Sequence, residues 1–190
     1  MGNNLINLAL DGLLYRQYQV INSVGGFVKY FAYGSNMSLL RLKERVPSAK
    51  KIGIVTLKNH QLRFNMSGND GSGKCDSFQT NKSEDIVIGA LFEINRDEKS
   101  TLDQAESLGV GYDEKIVSVQ SNSGEVFEAF MYYAIKIDPA LKPYSWYLNH
   151  VIIGAKEIKV PLNYLAVIES IECVEDPDKS RNAKQRAMYS

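Results

Sequence analysis

Cysteine and histidine are scarce in this chain: its 190 residues include only Cys75, Cys173, His60 and His150. All four stand far apart, with none of the short spacings that gather metal ligands, so no zinc site is expected and a reducing cytoplasm fits. Net charge is also missing. Twenty-two basic residues balance twenty-two acidic ones, so no global field draws nucleic acid or an anionic membrane, and a small neutral or zwitterionic ligand is the easier partner. Long apolar runs are absent too. The stretch Leu5–Leu10 is interrupted by Asp11 and Arg16 and lacks a basic start. No later segment offers about 18 uninterrupted apolar residues. Neither a signal peptide nor a membrane span is expected, which leaves a soluble, cytoplasmic protein.

What is present is ordinary for a globular chain: 44% apolar and 23% charged residues, in a length that suits one core. The expected organisation is an N-terminal extension (1–26), one domain (27–175) and a polar, frayed C-terminal tail (176–190). In the extension, Ile6, Leu10, Leu13 and Leu14 fall at roughly helical spacing before Gly25 and Gly26, consistent with a packing helix or an added strand. Leu5–Leu14 is expected to pack against the domain or, in a homodimer, against a second copy of the chain, since its apolar residues would otherwise be exposed together.

The run 27–33 is aromatic and β-branched and reads as a strand. It ends at Gly34-Ser35-Asn36, after which 38–46 reads as an amphipathic helix with Asn36 as N-cap. Strands are expected at 49–58 and 60–66, then a polar glycine-rich loop through about residue 82, then a strand at 85–94. Asn95 and Glu98 resemble a capping box that opens a helix from Arg96 to about Leu108, stopped by Gly109 and Gly111. Two alternating runs around Asn122-Ser123-Gly124 read as a hairpin, and 145–157 and 161–172 as helices, with Pro161 at a helix start. About seven strands with interspersed helices point to an α+β fold. A mixed, strongly curved sheet or barrel with flanking helices suits them better than a doubly wound parallel sheet.

Several segments could carry chemistry. Gly68 to Lys74 satisfies the first seven positions of a phosphate-loop pattern, but Cys75 offers no hydroxyl for Mg²⁺ and no apolar-periodic helix follows. A nucleotide site is therefore not expected. Ser35 lies in an exposed turn, yet His60 and His150 occupy unremarkable positions for the base a serine hydrolase needs. The loop Tyr33-Gly34-Ser35-Asn36 is more promising, because Gly34 tolerates unusual backbone angles and amides at a helix start can hold a carboxylate or an oxyanion. A tight strand-to-helix connection without a ligand explains it equally well. Glu106 falls four residues after Leu102 at the edge of the helix's apolar face, and in its last turn, where a partly buried carboxylate is placed for proton transfer. From periodicity alone, a solvent-facing glutamate is the commoner outcome.

Taken together, Tyr30 to Met37 (YFAYGSNM), Pro47-Ser48-Ala49, Leu102-Asp103 with Glu106, Gly154 to Glu157 (GAKE), and Pro161-Leu162 with Tyr164 resemble the γ-glutamyl cyclotransferase (AIG2-like) family, in order and spacing. The likeness spans roughly residues 27–172. It implies a mixed α/β barrel whose cavity takes a small-molecule γ-glutamyl substrate. By that likeness Glu106 is the catalytic acid/base: it takes a proton from the substrate's α-amine, which attacks the γ-carbonyl, and returns one to the departing amine, giving 5-oxoproline without a cofactor or metal. Tyr33, Gly34, Ser35 and Asn36 match the loop that contacts substrate; Tyr30 to Ala32 reads as its structural support. Tyr147 matches a substrate-contacting tyrosine, with Tyr144 as the nearby alternative. Two departures stand out: Ser107 follows the glutamate where the family has glycine, and about 26 residues precede the first strand. Both leave open an alternative, a non-catalytic binding or regulatory module on the same fold.

Overall fold

A computed structural model of the chain describes residues 26–189, so the expected packing of Leu5–Leu14 lies outside the described residues. Where β-branched and aromatic residues alternate, the backbone is extended. The strands are β1 (Phe27–Ala32), β2 (Lys50–Lys58), β3 (His60–Ser67), β4 (Gly73–Gln79), β5 (Ile86–Asn95), β6 (Tyr112–Ser121) and β7 (Val126–Ala134). Five of them close a barrel in the order β1-β5-β2-β6-β7, and β3 with β4 forms a separate two-stranded sheet. Neighbours in the barrel are antiparallel except at the closure, where β7 meets β1 in parallel through Tyr30 opposite Phe130. A bulge in β2 between Lys51 and Gly53 adds local bend and twist of the kind that helps a sheet curl onto itself. The expected α+β architecture with a mixed, curved barrel is what the chain forms.

β5 is buried on both faces from Val87 through Phe92, as befits a strand with the barrel core on one side and other elements outside it. One of those elements is the longest helix described. We number the helices α1 (Leu39–Lys43), α2 (Lys99–Ala105), α3 (Ser145–Ile158), α4 (Leu162–Glu169) and α5 (Lys179–Arg186). On α3 the buried residues Tyr147, His150, Val151, Gly154 and Ile158 recur every three or four positions, so one stripe faces inward. The helix stops where Lys159 turns left-handed at φ 61°, two residues before Pro161. Among the described residues, no helix is long and apolar enough to cross a membrane.

Several expectations fail, two of them in the elements around the barrel. The glycine-rich segment is not a loop through residue 82, because Gly73–Gln79 is strand β4. Its sequence hides this: Cys75, Asp76 and Ser77 are all buried although two of them are polar. Asp76 is satisfied across the fold, its Oδ1 accepting the Ala134 amide at 3.0 Å. The tail does not fray within the described residues either. Asp178 caps α5 through the Arg181 amide, and buried Asp176 receives Arg181 by two bonds of 2.6 Å and the Trp146 indole at 2.7 Å. A bidentate, charge-assisted pair of this kind ties down a helix whose own apolar face would not.

Candidate active site

The site begins where β1 ends. Gly34 was expected to use a backbone angle closed to other residues, but its φ is −114°. Its requirement is space: a Cβ there would lie 3.0 Å from the Cβ of Cys75 and 3.3 Å from its Sγ. Nor is Asn36 the helix cap. Ser38 holds that position, its hydroxyl accepting the Arg41 amide, while Ser35–Met37 form a 3₁₀ turn whose first bond runs from the Met37 amide to the Gly34 carbonyl at 3.0 Å. The Ser35 and Asn36 amides precede that bond and so have no partner in the turn's own ladder. Helix α3 lies directly against this turn, since a Cβ on Gly154 would sit 2.6 Å from the Ser38 amide. One turn on, Glu157 accepts the Leu39 amide with both oxygens at 3.2 Å.

The opposite wall comes from α2. Leu102, 0% exposed, anchors this short helix, and full burial of such a side chain contributes about 1.5–3 kcal/mol. Asp103 fixes it to β7 by accepting the Tyr132 hydroxyl at 2.6 Å, and Lys99 bridges Asp103 and Glu114 at 2.7 and 2.5 Å. Regular helix is shorter than expected: a 3₁₀ turn (Arg96–Glu98) leads in and α2 ends at Ala105. Asn95 caps the turn through the Asp97 amide, but Glu98 does not complete a capping box and instead accepts the Ser48 amide and hydroxyl at 3.0 and 2.6 Å. Glu106 is therefore the C-cap residue, followed by Ser107 in the left-handed region at φ 53°. That angle is the reason a glycine suits the position.

These two walls bring Glu106 and Asn36 together. The Glu106 side chain is 16% exposed, and its Oε1 accepts the Asn36 amide nitrogen at 3.0 Å and the Arg45 guanidinium at 2.9 Å. Arg45 also donates to Asn36 Oδ1 at 2.9 Å, and Asn36 donates to the Tyr30 hydroxyl at 3.0 Å. Among the described residues nothing bonds Oε2, so that oxygen is the one left for a ligand. Glu106 is thus an oriented, half-buried carboxylate rather than a surface glutamate. Sequence reasoning missed Arg45, because it belongs to a charged run, Lys43-Glu44-Arg45, that periodicity assigns to solvent. It also placed Tyr30 as support alone, whereas its hydroxyl ends the chain Arg45–Asn36–Tyr30 inside the cavity.

Tyr33, Gly34, Ser35, Asn36, Glu106 and Tyr147 line one pocket of about 290 Å³, so the structure gathers every residue the sequence singled out for the site. Cys75 and Tyr112 complete its floor. The Tyr147 hydroxyl accepts the Cys75 amide at 3.0 Å and the Tyr112 hydroxyl donates to the Cys75 carbonyl at 2.6 Å. Tyr144 turns elsewhere, its hydroxyl donating to the Asp70 carbonyl at 3.0 Å. Burial raises the Tyr33, Tyr112 and Tyr147 phenols well above their usual range, so they are neutral walls and not proton carriers. Burial likewise pushes the Cys75 thiol up to about 12, which removes it as a nucleophile. The two histidines are engaged away from Ser35: His150 with Tyr189 and Gln185, His60 with Lys58 and Lys115. In the phosphate-loop-like segment Lys74 pairs with Asp70 at 2.7 Å, and a strand follows instead of a helix. No cluster that could hold a metal ion occurs among the described residues.

Over 149 residues this chain is 30% identical to the human γ-glutamylcyclotransferase, covering 75% of this chain and 78% of that one. The chain belongs to the γ-glutamylcyclotransferase family, a family of enzymes. The AIG2-like family model matches residues 86–168, which carry β5, Glu106, the β6–β7 hairpin, α3 and α4. Among solved structures, a γ-glutamyl cyclotransferase superposes with a TM-score of 0.76 at 25% identity, over 85% of this chain and 99% of that one. A human protein solved as uncharacterized gives 0.78 at 26% identity, over 87% and 99%. In this family member the loop and the glutamate meet at one tyrosine-lined pocket, with Asn36 bonding Glu106 directly.

Proposed function

We propose that the protein cyclises a small γ-glutamyl compound, releasing 5-oxoproline and an amine or amino acid, with Glu106 as general base and then general acid. The observation that carries this reading is the Glu106 carboxylate, held on one oxygen by Asn36 and Arg45 and open on the other toward the pocket. With the γ-glutamyl group in the inner pocket, Oε2 takes a proton as the α-amine nitrogen attacks the γ-carbonyl carbon. The new C–N bond closes a five-membered ring, the bond to the departing amine breaks, and the same carboxyl returns the proton to that amine. Atoms balance without water and nothing changes oxidation state. Carbonyl charge developing in this step suits the Ser35 and Asn36 amides, which lie beside Glu106 and outside the turn's own ladder. Tyrosine walls favour attack by the substrate's own amine over attack by water, because holding the chain curled supplies a high effective concentration. The reading places the reaction in the cytoplasm with a small-molecule partner, and gives no part to nucleic acid, a membrane or a cofactor.

The test is to incubate the full chain with γ-glutamyl-alanine, side-chain-linked γ-glutamyl-lysine, a γ-glutamyl polyamine and glutathione, and to quantify 5-oxoproline and free glutamate. Release of 5-oxoproline with an equal amount of amine is expected. Glutamate as the product would mean hydrolysis and would overturn the cyclisation.

A further inference from the structure

The barrel is not evenly laced. β1 and β5 pair over six residues and β6 and β7 over nine, whereas β2 meets β6 at only two positions, Val55 opposite Ser121 and Thr56 opposite Gln120. Beyond them the strands part around a cleft of about 990 Å³, bounded by Leu57, Lys58 and His60 on one side and by residues 115–119 on the other. It shares no residue with the catalytic pocket. Successive residues of a strand turn their N–H and C=O groups to alternate sides. Those of residues 115–119 that turn away from β7 face the cleft, and among the described residues no strand, turn or loop backbone bonds them there. At about 3.3 Å per residue this open edge is about 16 Å long.

Charge singles out the same cleft. The chain carries equal numbers of acidic and basic residues, yet the lining holds Lys58, Lys115 and His60 and no carboxylate. Neither lysine joins an ion pair among the described residues. A lysine that guards a strand edge against pairing stands free in water. Lys115 is instead fastened along the wall, its Nζ bonding His60 Nε2 at 3.0 Å and Gln79 Oε1 at 3.1 Å. The buried His60 has its Nδ1 2.8 Å from the Lys58 carbonyl, so Nδ1 is the donor and Nε2 the acceptor. Both partners of Lys115 are therefore neutral, and one of its three N–H groups remains for an anion. Asp76, whose charge reaches Lys115, is buried behind it and bonds the Ala134 amide.

We infer that the parted β2–β6 seam is a docking groove for an acidic segment of a partner protein, which lies along β6 as an added strand. Main-chain bonds to residues 115–119 hold it, as in other cases where a peptide extends a sheet. Its apolar side chains rest against Leu57, Val117 and Val119, and its acidic ones meet Lys58 and Lys115. The groove takes no part in the cyclisation and does not depend on it.

The test is calorimetry of the full chain with a hexapeptide of alternating valine and glutamate, blocked at both ends. Two controls accompany it: the valine–lysine counterpart, and the acidic peptide N-methylated at alternate residues, which keeps the charge but loses main-chain donors. The acidic peptide should bind about tenfold or more tighter than the basic one, less tightly as salt rises, and should slow amide-proton exchange at residues 115–119. N-methylation should abolish binding. Lys115→Met and Lys58→Met should each weaken it about fivefold or more, with the urea midpoint of Lys58→Met unchanged. No binding at about 1 mM peptide, equal binding of both charges, or binding that survives N-methylation or both substitutions overturns the inference. So does full protection of the cleft-facing amides of residues 115–119 in the free chain, which would show that another part of the chain or a second copy already fills the groove.

Discussion

Glu106 and Arg45 form a 2.9 Å ion pair across 61 residues of sequence, and the same guanidinium nitrogen bonds Asn36. The pair joins the α2 wall of the pocket to the loop that leads out of β1. It fixes where the carboxylate stands when substrate arrives, and it sets what the first two variants should do.

Glu106→Gln keeps the shape and can still accept the Asn36 bond, but it cannot carry a proton. General acid/base catalysis contributes on the order of 10²–10⁴-fold, and here one group serves two proton transfers, so the initial rate should fall by about 10³ or more. The urea midpoint should stay near the wild-type value. A folded variant that keeps a tenth of the 5-oxoproline-forming rate would show that another group moves the proton.

Arg45→Met removes one of the two bonds on Glu106 Oε1 and leaves only Asn36 to hold it. Misplacement of a reacting group by about 1 Å can cost about 10²-fold, and a drop of that order in kcat is expected, with a smaller change in KM. Arg45→Lys should recover only part of it, because a flexible ammonium does not fix its donor directions as the planar guanidinium does where one nitrogen meets both Asn36 and Glu106. Full activity in Arg45→Met would remove the positioning role.

Ser107→Gly should stabilise the fold. An L side chain in the left-handed region costs roughly 1–2 kcal/mol, and the extra freedom of glycine in the unfolded chain returns part of it, for a net gain of about 0.5–1 kcal/mol in urea unfolding. A loss of stability would mean that the Ser107 side chain makes contacts that outweigh its backbone cost.

Acid should loosen the C-terminal helix through His150. Burial first, then the nearby Arg41 charge, lowers this 0%-exposed imidazole to about 4, whereas an unfolded histidine titrates near ~6.5. Between those values the unfolded chain binds more protons, so stability is full above about 6.5 and declines as pH falls toward about 4, by about 1 kcal/mol at pH 5.5. Urea midpoints at pH 7.5 and 5.5 should therefore diverge more in the wild type than in His150→Gln. His60, also lowered by burial, acts in the same direction in both proteins. Identical pH slopes would show that His150 does not carry the effect.

Much of this was written locally. β1, β2, β5 and the β6–β7 hairpin follow from β-branched and aromatic alternation, and α3 and α4 from helical spacing. Glu106 was placed at the end of a helix by Leu102 and the stop signals after it, and only the family resemblance marked it as a candidate for the site. What stayed hidden depends on partners distant in sequence. β4 looks like a loop because its buried residues include Asp76 and Ser77, which are satisfied only across the fold. Arg45 looks solvent-facing until Asn36 and Glu106 converge on it. Gly34 looks like a residue chosen for its dihedral freedom, and only the approach of Cys75 shows that it was chosen for its lack of a side chain.

The barrel is sealed at Tyr30, the same residue whose hydroxyl steadies Asn36. Its ring stacks on Phe130 at 5.0 Å, beside the parallel junction of β1 with β7. Opening of that seam is therefore expected to disturb the Asn36 amide that bonds Glu106. A ligand that steadies Glu106 should then slow amide-proton exchange along β1 as well as in the pocket.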